Sequence, residues 1–252
     1  RVTLQASDFT PGLWAPSGTN VFPSVDNLAL NVFATNLPAN AYRIELLPLR
    51  PAMLVAGDDP SSLLPDASHW ALRRIAGAQP NHQSKVEIPL RAALGGSTGA
   101  LAYGVSARLA SGDTVTDIGL VSLTNLGIFV QSFPSRAIVL VQRLSDGSPV
   151  DGASVSLYRT GRSLSTVPCA RASTDASGTA EISGPPLEAC YAGGSDFGGD
   201  APPIMAVASE GSDWAYARIE SWSGIENLPS DASWTGGAPL SRGTIFTDRQ
   251  MY

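Results

Sequence analysis

The stretch AIVLVQRLSDGSPVDGASVSLYRTG, residues 137–161, reads as two strands joined by a constrained turn. In its second half Val155 and Leu157 fall on one side, while Ser154, Ser156 and Tyr158 fall on the other, the period-two pattern of a half-buried strand. Between the strands, Gly147 and Gly152 supply turn geometry and Pro149 rigidifies the bend. A strand pair of this kind cannot satisfy its backbone or bury its apolar face alone, so the surrounding sequence must supply more strands.

It does so on both sides. Upstream lie NLALNVFATNL (27–37), AYRIELLPL (41–49), SKVEIPL (84–90), LAYGVSARL (101–109) and TVTDIGLVSL (114–123). LGIFVQSF (126–133) and RAIVLVQRL (136–144) lead into the quoted stretch and ASVSLYRT (153–160) closes it; GTAEIS (178–183), PIMAVASE (203–210) and DWAYARIE (213–220) follow. Turn-rich segments separate these runs, which divide into two series and predict an all-β chain of two tandem antiparallel β-sandwich domains. The expected boundaries are 1–125 and 126–230, with 231–252 a connector and a closing strand. The join falls near SLTNLG (122–127), where one strand follows another with almost no linker, an arrangement that restricts the angle between domains. One helix is conceivable at PDASHWALRRIAGA (65–78), capped by Asp66 or Ser68, but a strand through 69–76 is preferred. The irregular SWSGIENLPSDASWTGGAPLSRG (221–243) carries Trp222 and Trp234 and is expected to pack across a sandwich surface.

Composition agrees with many short strands. Hydrophobic residues make up 43% and charged residues only 15%, while 25 Gly and 19 Pro punctuate the chain. The net charge of −6 lacks the basic surface that nucleic acid requires. No apolar run reaches the ~18 residues of a membrane span, and the opening RVTLQASDF is not a signal peptide. Cys169 and Cys190 bracket a segment whose TDASGT reads as a hairpin turn, which would bring the two thiols together. A disulfide closing that loop would contribute about 3 kcal/mol and persist only in an oxidising compartment. Two free buried thiols are the alternative.

Catalytic constellations are not legible. His69 and His82 are the two histidines, and neither sits in a nucleophile-elbow context. No closely spaced set of three or four His, Cys or carboxylate ligands suggests zinc. GGSTGA (95–100) lacks the lysine and helix of a phosphate loop, and the Asp-Phe-Gly of SDFGGD (195–200) has no kinase partners. The carboxylates of DGSPVDG (146–152) and DASG (175–178) lack the alternating oxygen ligands of a calcium loop and read as hairpin turns.

The stretch 137–161, together with ASTDASGTAEI (172–182), resembles a macroglobulin domain of the bacterial alpha-2-macroglobulin family: a strand, a turn of the form (D/T)-G-x-P-V-x-G-A, an alternating strand ending near Tyr158, then T-D-x-x-G-x-A. TNLG (124–127) resembles that family's T-D-L-G domain entry, with Asn125 where Asp is usual, and YGVSARL (103–109) resembles a strand of the preceding domain. TIFTDRQMY (244–252) resembles the start of a further macroglobulin domain, so the closing residues are expected to be its first strand.

The resemblance implies two macroglobulin-like domains acting as a non-catalytic scaffold segment of a protease inhibitor that entraps its targets. It implies sister macroglobulin domains and, through the full-length protein, target proteases as partners. It also implies a periplasmic or extracellular setting, with any membrane anchor in the parent chain, and no cofactor. The family's thioester motif C-x-E-Q is not in this sequence, whose cysteines sit in PCAR and EACY. An adhesin or carbohydrate-binding array is the alternative; it would use Trp14, Trp70, Trp214, Trp222 and Trp234 as sugar platforms, against a reading in which they pack in cores and connector.

Overall fold

The computed structural model describes residues 7–24, 28–56, 60–96, 98–133, 135–160, 166–191 and 204–219. The expected connector, Trp222, Trp234 and the closing strand lie outside the described residues, as does SDFGGD.

The first sandwich opposes two sheets. One holds β1 (Gly12–Trp14), β3 (Ala29–Thr35) and β6 (Ser84–Pro89), in the order β1-β3-β6. The other holds β2 (Gly18–Pro23), β4 (Ala41–Leu49), β5 (Ala71–Arg74), β7 (Gly99–Arg108) and β8 (Thr114–Thr124), in the order β2-β8-β7-β4-β5. The pairings are antiparallel except that β2 runs parallel to β8. Leu30, Val32, Tyr42, Ile44, Leu101, Tyr103 and Val105 fill the space between the sheets. The Tyr103 hydroxyl donates to the Pro16 carbonyl, pinning the β1–β2 loop, and burial with Asp117 nearby pushes its pKa up to about 12.

The segment 65–78 is resolved into both local signals read from it. A 3-10 turn, Ala67–His69, is capped by the Asp66 side chain accepting from the Ser68 amide, and the strand β5 follows. Trp70 lies between them, buried, with its indole N–H donating to the Pro65 carbonyl at 2.8 Å. Its ring lies over Gly104, where a β-carbon would stand 2.2 Å from it, so only glycine permits this packing. The short helices α1 (Pro51–Ala56) and α2 (Pro60–Leu63), between β4 and β5, were not read from the sequence; each opens on Pro, whose fixed φ suits a first helical position.

The second sandwich opposes β9 (Leu126–Ser132), β10 (Arg136–Arg143) and β13 (Thr179–Ser183) to β11 (Ser154–Arg159), β12 (Ala170–Ser173), β14 (Ile204–Glu210) and β15 (Asp213–Ile219). Val139, Val141, Val155, Leu157 and Ile182 fill the core. Helix α3 (Leu90–Ala93) belongs to the first sandwich, and α4 (Pro185–Tyr191) follows β13 in the second.

Two turns fold back as read and then do more. Gln142 bridges Pro149 antiparallel across DGSP, and the Asp175 amide donates to the Thr179 carbonyl across DASG at 2.9 Å. DGSPVDG connects β10 to β11 and TDASGT connects β12 to β13, and the strands of each pair lie in opposite sheets, so beyond these short pairs both turns are corners that carry the chain across the sandwich. They form one structure together. The Thr174 hydroxyl donates to the Val150 carbonyl at 2.6 Å and accepts from the Ala153 amide at 2.8 Å. The Asp175 carboxylate accepts from the Ser177 amide, the Ser177 hydroxyl and the Thr179 amide. These bonds, the Ser177 hydroxyl first among them, hold its pKa below the ordinary carboxylate value. Gly178, at φ 75°, is tucked against the Val141 carbonyl and the Pro149 ring.

Candidate functional site

The most developed feature outside the two cores is the joint between the sandwiches, and it starts from residue size. Along β7 the residues facing the first core are large, Leu101, Tyr103 and Val105; those facing away are small, Ala100, Ala102, Gly104 and Ser106. Nearly the whole strand is buried, which requires cover on both faces. Strand β14 has the same property. Ile204, Ala206 and Ala208 face the second core, while Met205 and Val207 face outward. Met205 and Val207 pack with Leu49, Leu54, Val55, Ala100, Ala102 and Leu120 in a third apolar cluster shared by the two sandwiches. The large side chains of β14 and α1 meet the small ones of β7, the interdigitation that gives native packing density.

Polar groups frame this cluster. β8 ends at Thr124 and β9 begins at Leu126, so Asn125 is the whole connection. The Asp213 carboxylate accepts from the Thr124 hydroxyl and from the Asn125 amide, each at 2.8 Å. The Leu126 amide donates to the Thr124 hydroxyl at 3.0 Å, and the Leu144 amide donates to the Asn125 carbonyl at 2.8 Å. Because Asn125 contributes only its backbone to these bonds, an amide side chain serves where the family pattern has a carboxylate. Across the joint, the Arg218 guanidinium donates to the Leu54 carbonyl at 2.7 Å. Burial raises the pKa of Tyr216, with Thr19 close enough to oppose the shift. Beside the clamp, Arg143 and Glu210 form a two-pronged ion pair at 2.5 and 2.6 Å. That pair is more than a third exposed, so it adds less than the buried apolar contacts.

Cys169 and Cys190 are joined. The link runs from the residue before β12 to α4, beyond β13, and so ties elements that follow different sheets. The TDASGT turn returns the chain across the sandwich and α4 carries Cys190 back to Cys169, so the two thiols meet without lying on a pair of hydrogen-bonded strands.

His69 and His82 are both exposed. No group of three His, Cys, Asp or Glu side chains among the described residues is placed to share a metal ion. Of the tryptophans described, Trp70 is buried, Trp214 packs at the joint, and Trp14 is 54% exposed beside Phe33. The joint itself was missed by sequence reading except for its short linker. Its signal was present in LAYGVSA and IMAVA, where apolar and small residues run without polar alternation.

Two sandwiches welded through a shared apolar cluster define an all-β, macroglobulin-like chain, and comparison with known proteins gives the same class. The sequence model of the bacterial alpha-2-macroglobulin MG3 domain matches residues 123–231. An alpha-2-macroglobulin homolog from a Nostoc species is 37% identical over 97% of this chain, which spans 13% of that protein's length. The crystal structure of native alpha-2-macroglobulin from Escherichia coli spanning domains NIE-MG1 superposes with a TM-score of 0.56 at 16% identity, covering 85% of this chain and 99% of that one. A second, spanning MG0-NIE-MG1, gives 0.51 at 18% identity over 86% of this chain and 66% of that one. The chain belongs to the bacterial alpha-2-macroglobulin family.

Proposed function

We propose that this chain is a non-catalytic scaffold segment of a bacterial alpha-2-macroglobulin-like protease inhibitor, part of the frame that encloses an entrapped protease. The observation that carries the reading is the shared cluster around Met205 and Val207: two sandwiches that bury it together move as one rigid arm. In this reading residues 1–125 and 126–230 are successive domains, and the family match beginning at residue 123 supports a boundary at Asn125. Sister macroglobulin domains of the parent are the direct partners; target proteases meet the full-length protein. The joined cysteines support a periplasmic or extracellular site of action, with any membrane anchor carried by the parent.

An adhesin built on tryptophan platforms is the second reading, and the exposed Trp14–Phe33 pair, with ring centroids 5.5 Å apart, is the observation in its favour. The burial of Trp70 and the packing of Trp214 in the joint weigh against it. The test compares the isolated chain with its parent. The isolated chain should neither hydrolyse nor inhibit a test protease, since it holds no C-x-E-Q sequence. The parent should entrap protease, and Met205→Asp in the parent should impair that. Reproducible inhibition by the isolated chain would refute the scaffold reading; specific binding to a glycan array lost in Trp14→Ala would favour the adhesin.

A further inference from the structure

The outer face of the five-stranded sheet is covered at one end by the joint and open at the other. At the open end Arg43 stands opposite Leu72 on β5 and Ser106 on β7, and Ala41 stands opposite Arg74. Continuing the β4–β7 register by two residues puts Arg108 on the other side of Ala41. Directly opposed residues project to the same face, so Arg43, Arg74 and Arg108 surround one small side chain. With strands about 4.8 Å apart, Arg74 and Arg108 are about 10 Å from each other. Here the surface forms an open groove of about 570 Å³ whose lining includes Pro38, Arg43, Ser68, Leu72, Arg108 and Thr114.

Charge decides what fits. Among the described residues, no carboxylate lines the groove. The Arg43 guanidinium donates to the carbonyls of Ser68 and Trp70, at 3.0 and 2.9 Å, which fixes its position without neutralising it. Among the described residues, neither Arg74 nor Arg108 is in an ion pair, in a chain whose net charge is −6. Arginines on an edge strand can serve only to block edge-to-edge association. Arg43 and Arg108 are on interior strands and project over the sheet face, where that role is not available. The floor is apolar as well: Leu72 is 61% exposed beside Pro38 and Ala41.

We propose that this groove, bordered on β5 by Arg74 opposite Ala41, binds an extended acidic polypeptide segment, with two successive same-face carboxylates on Arg108 and Arg74 and the next same-face side chain, an apolar one, on Leu72. Alternate side chains of an extended strand are about 7 Å apart, a spacing that two long arginine side chains about 10 Å apart can both reach. Planar guanidinium forks match carboxylates two-pronged. An anionic polysaccharide would use the charges but has no apolar side chain for Leu72. The inference does not depend on the protease-trap reading.

The test is fluorescence anisotropy on the whole chain at low ionic strength, with a fluorescein-labelled Glu-Ser-Glu-Ser-Val peptide, whose two glutamates and valine share one face when extended. Saturable binding is expected, weakened about tenfold or more by Arg74→Glu or Arg108→Glu and progressively lost as salt rises. The same peptide with lysine in place of glutamate should not bind, and Leu72→Asp should weaken the glutamate peptide. Neither Arg74 nor Arg108 holds another described group in place, so both variants should keep the wild-type circular dichroism; Arg108→Gln provides a milder check. Absence of peptide binding, binding indifferent to both charge reversals, or binding of heparin alone would overturn the proposal.

Discussion

The carboxylate of Asp213 accepts a hydrogen bond from the hydroxyl of Thr124, 89 residues earlier in the chain, at 2.8 Å. Its other oxygen takes the amide of Asn125, so one side chain on the second sandwich holds the last residue of the first and the whole of the linker. Asp213→Ala should therefore leave a buried hydroxyl and a linker amide without their acceptor, at a cost of about 1–3 kcal/mol. Chemical denaturation measures the loss. Small-angle scattering should show a wider distribution of inter-sandwich angles, and Asp213→Asn, which keeps an acceptor, should fall between.

Met205 is fully buried in the cluster that the sandwiches share. Met205→Ala should cost about 2–5 kcal/mol, as buried truncations do. The loss is specific to the joint, since Met205 does not belong to either sandwich's inner core. Calorimetry should show a single transition in the parent sequence separating into two in Met205→Asp. A single shifted transition would mean that the sandwiches are coupled by other contacts.

Gly178 and Gly147 separate two effects of a glycine. Both have φ near 70°, but a β-carbon at Gly178 would meet the Val141 carbonyl at 2.5 Å, whereas one at Gly147 meets nothing within 4 Å. Gly147→Ala should cost about 1 kcal/mol, from backbone strain alone. Gly178→Ala should cost about 3 kcal/mol or more, because the corner turns must separate to admit it. Thermal melts of the two variants check the ranking.

Reduction of the Cys169–Cys190 bond, or Cys190→Ser, should lower stability by about 3 kcal/mol through the freed loop. A non-reduced digest should yield the two peptides linked when the protein is made in an oxidising compartment; both recovered as free thiols would contradict the pairing.

Asp175 links stability to pH. Its folded pKa lies below the ordinary aspartate value of about 3.9 because the Ser177 and Thr179 bonds favour the carboxylate. Its contribution is therefore present above that value and lost as pH falls through the lower, folded value. The difference in melting temperature between wild type and Asp175→Asn should be constant at neutral pH and shrink on acidification below pH about 4. A difference that grows with acidification would show the opposite sign of coupling.

Much of the fold was readable because a strand buried on one face writes its state into a period of two. β4 was read at its observed bounds, 41–49, and the break at Asn125 stood between two long apolar runs. The sequence also carried the corner motif, since Thr174, Asp175, Gly178 and Pro149 act through local turn chemistry. It did not show that the two corners touch, that the strands flanking each lie in opposite sheets, or that β2 runs parallel to β8. Those depend on contacts between residues distant along the chain, and periodicity records only that a face is covered, not what covers it. For the same reason the small residues of β7 and the apolar run of β14 announced two-sided burial without naming each other as partners. The joint and the three-arginine groove exist because strand order places Ala100 and Ala102 under Met205, and Ala41 between Arg74 and Arg108; that placement belongs to the tertiary structure alone.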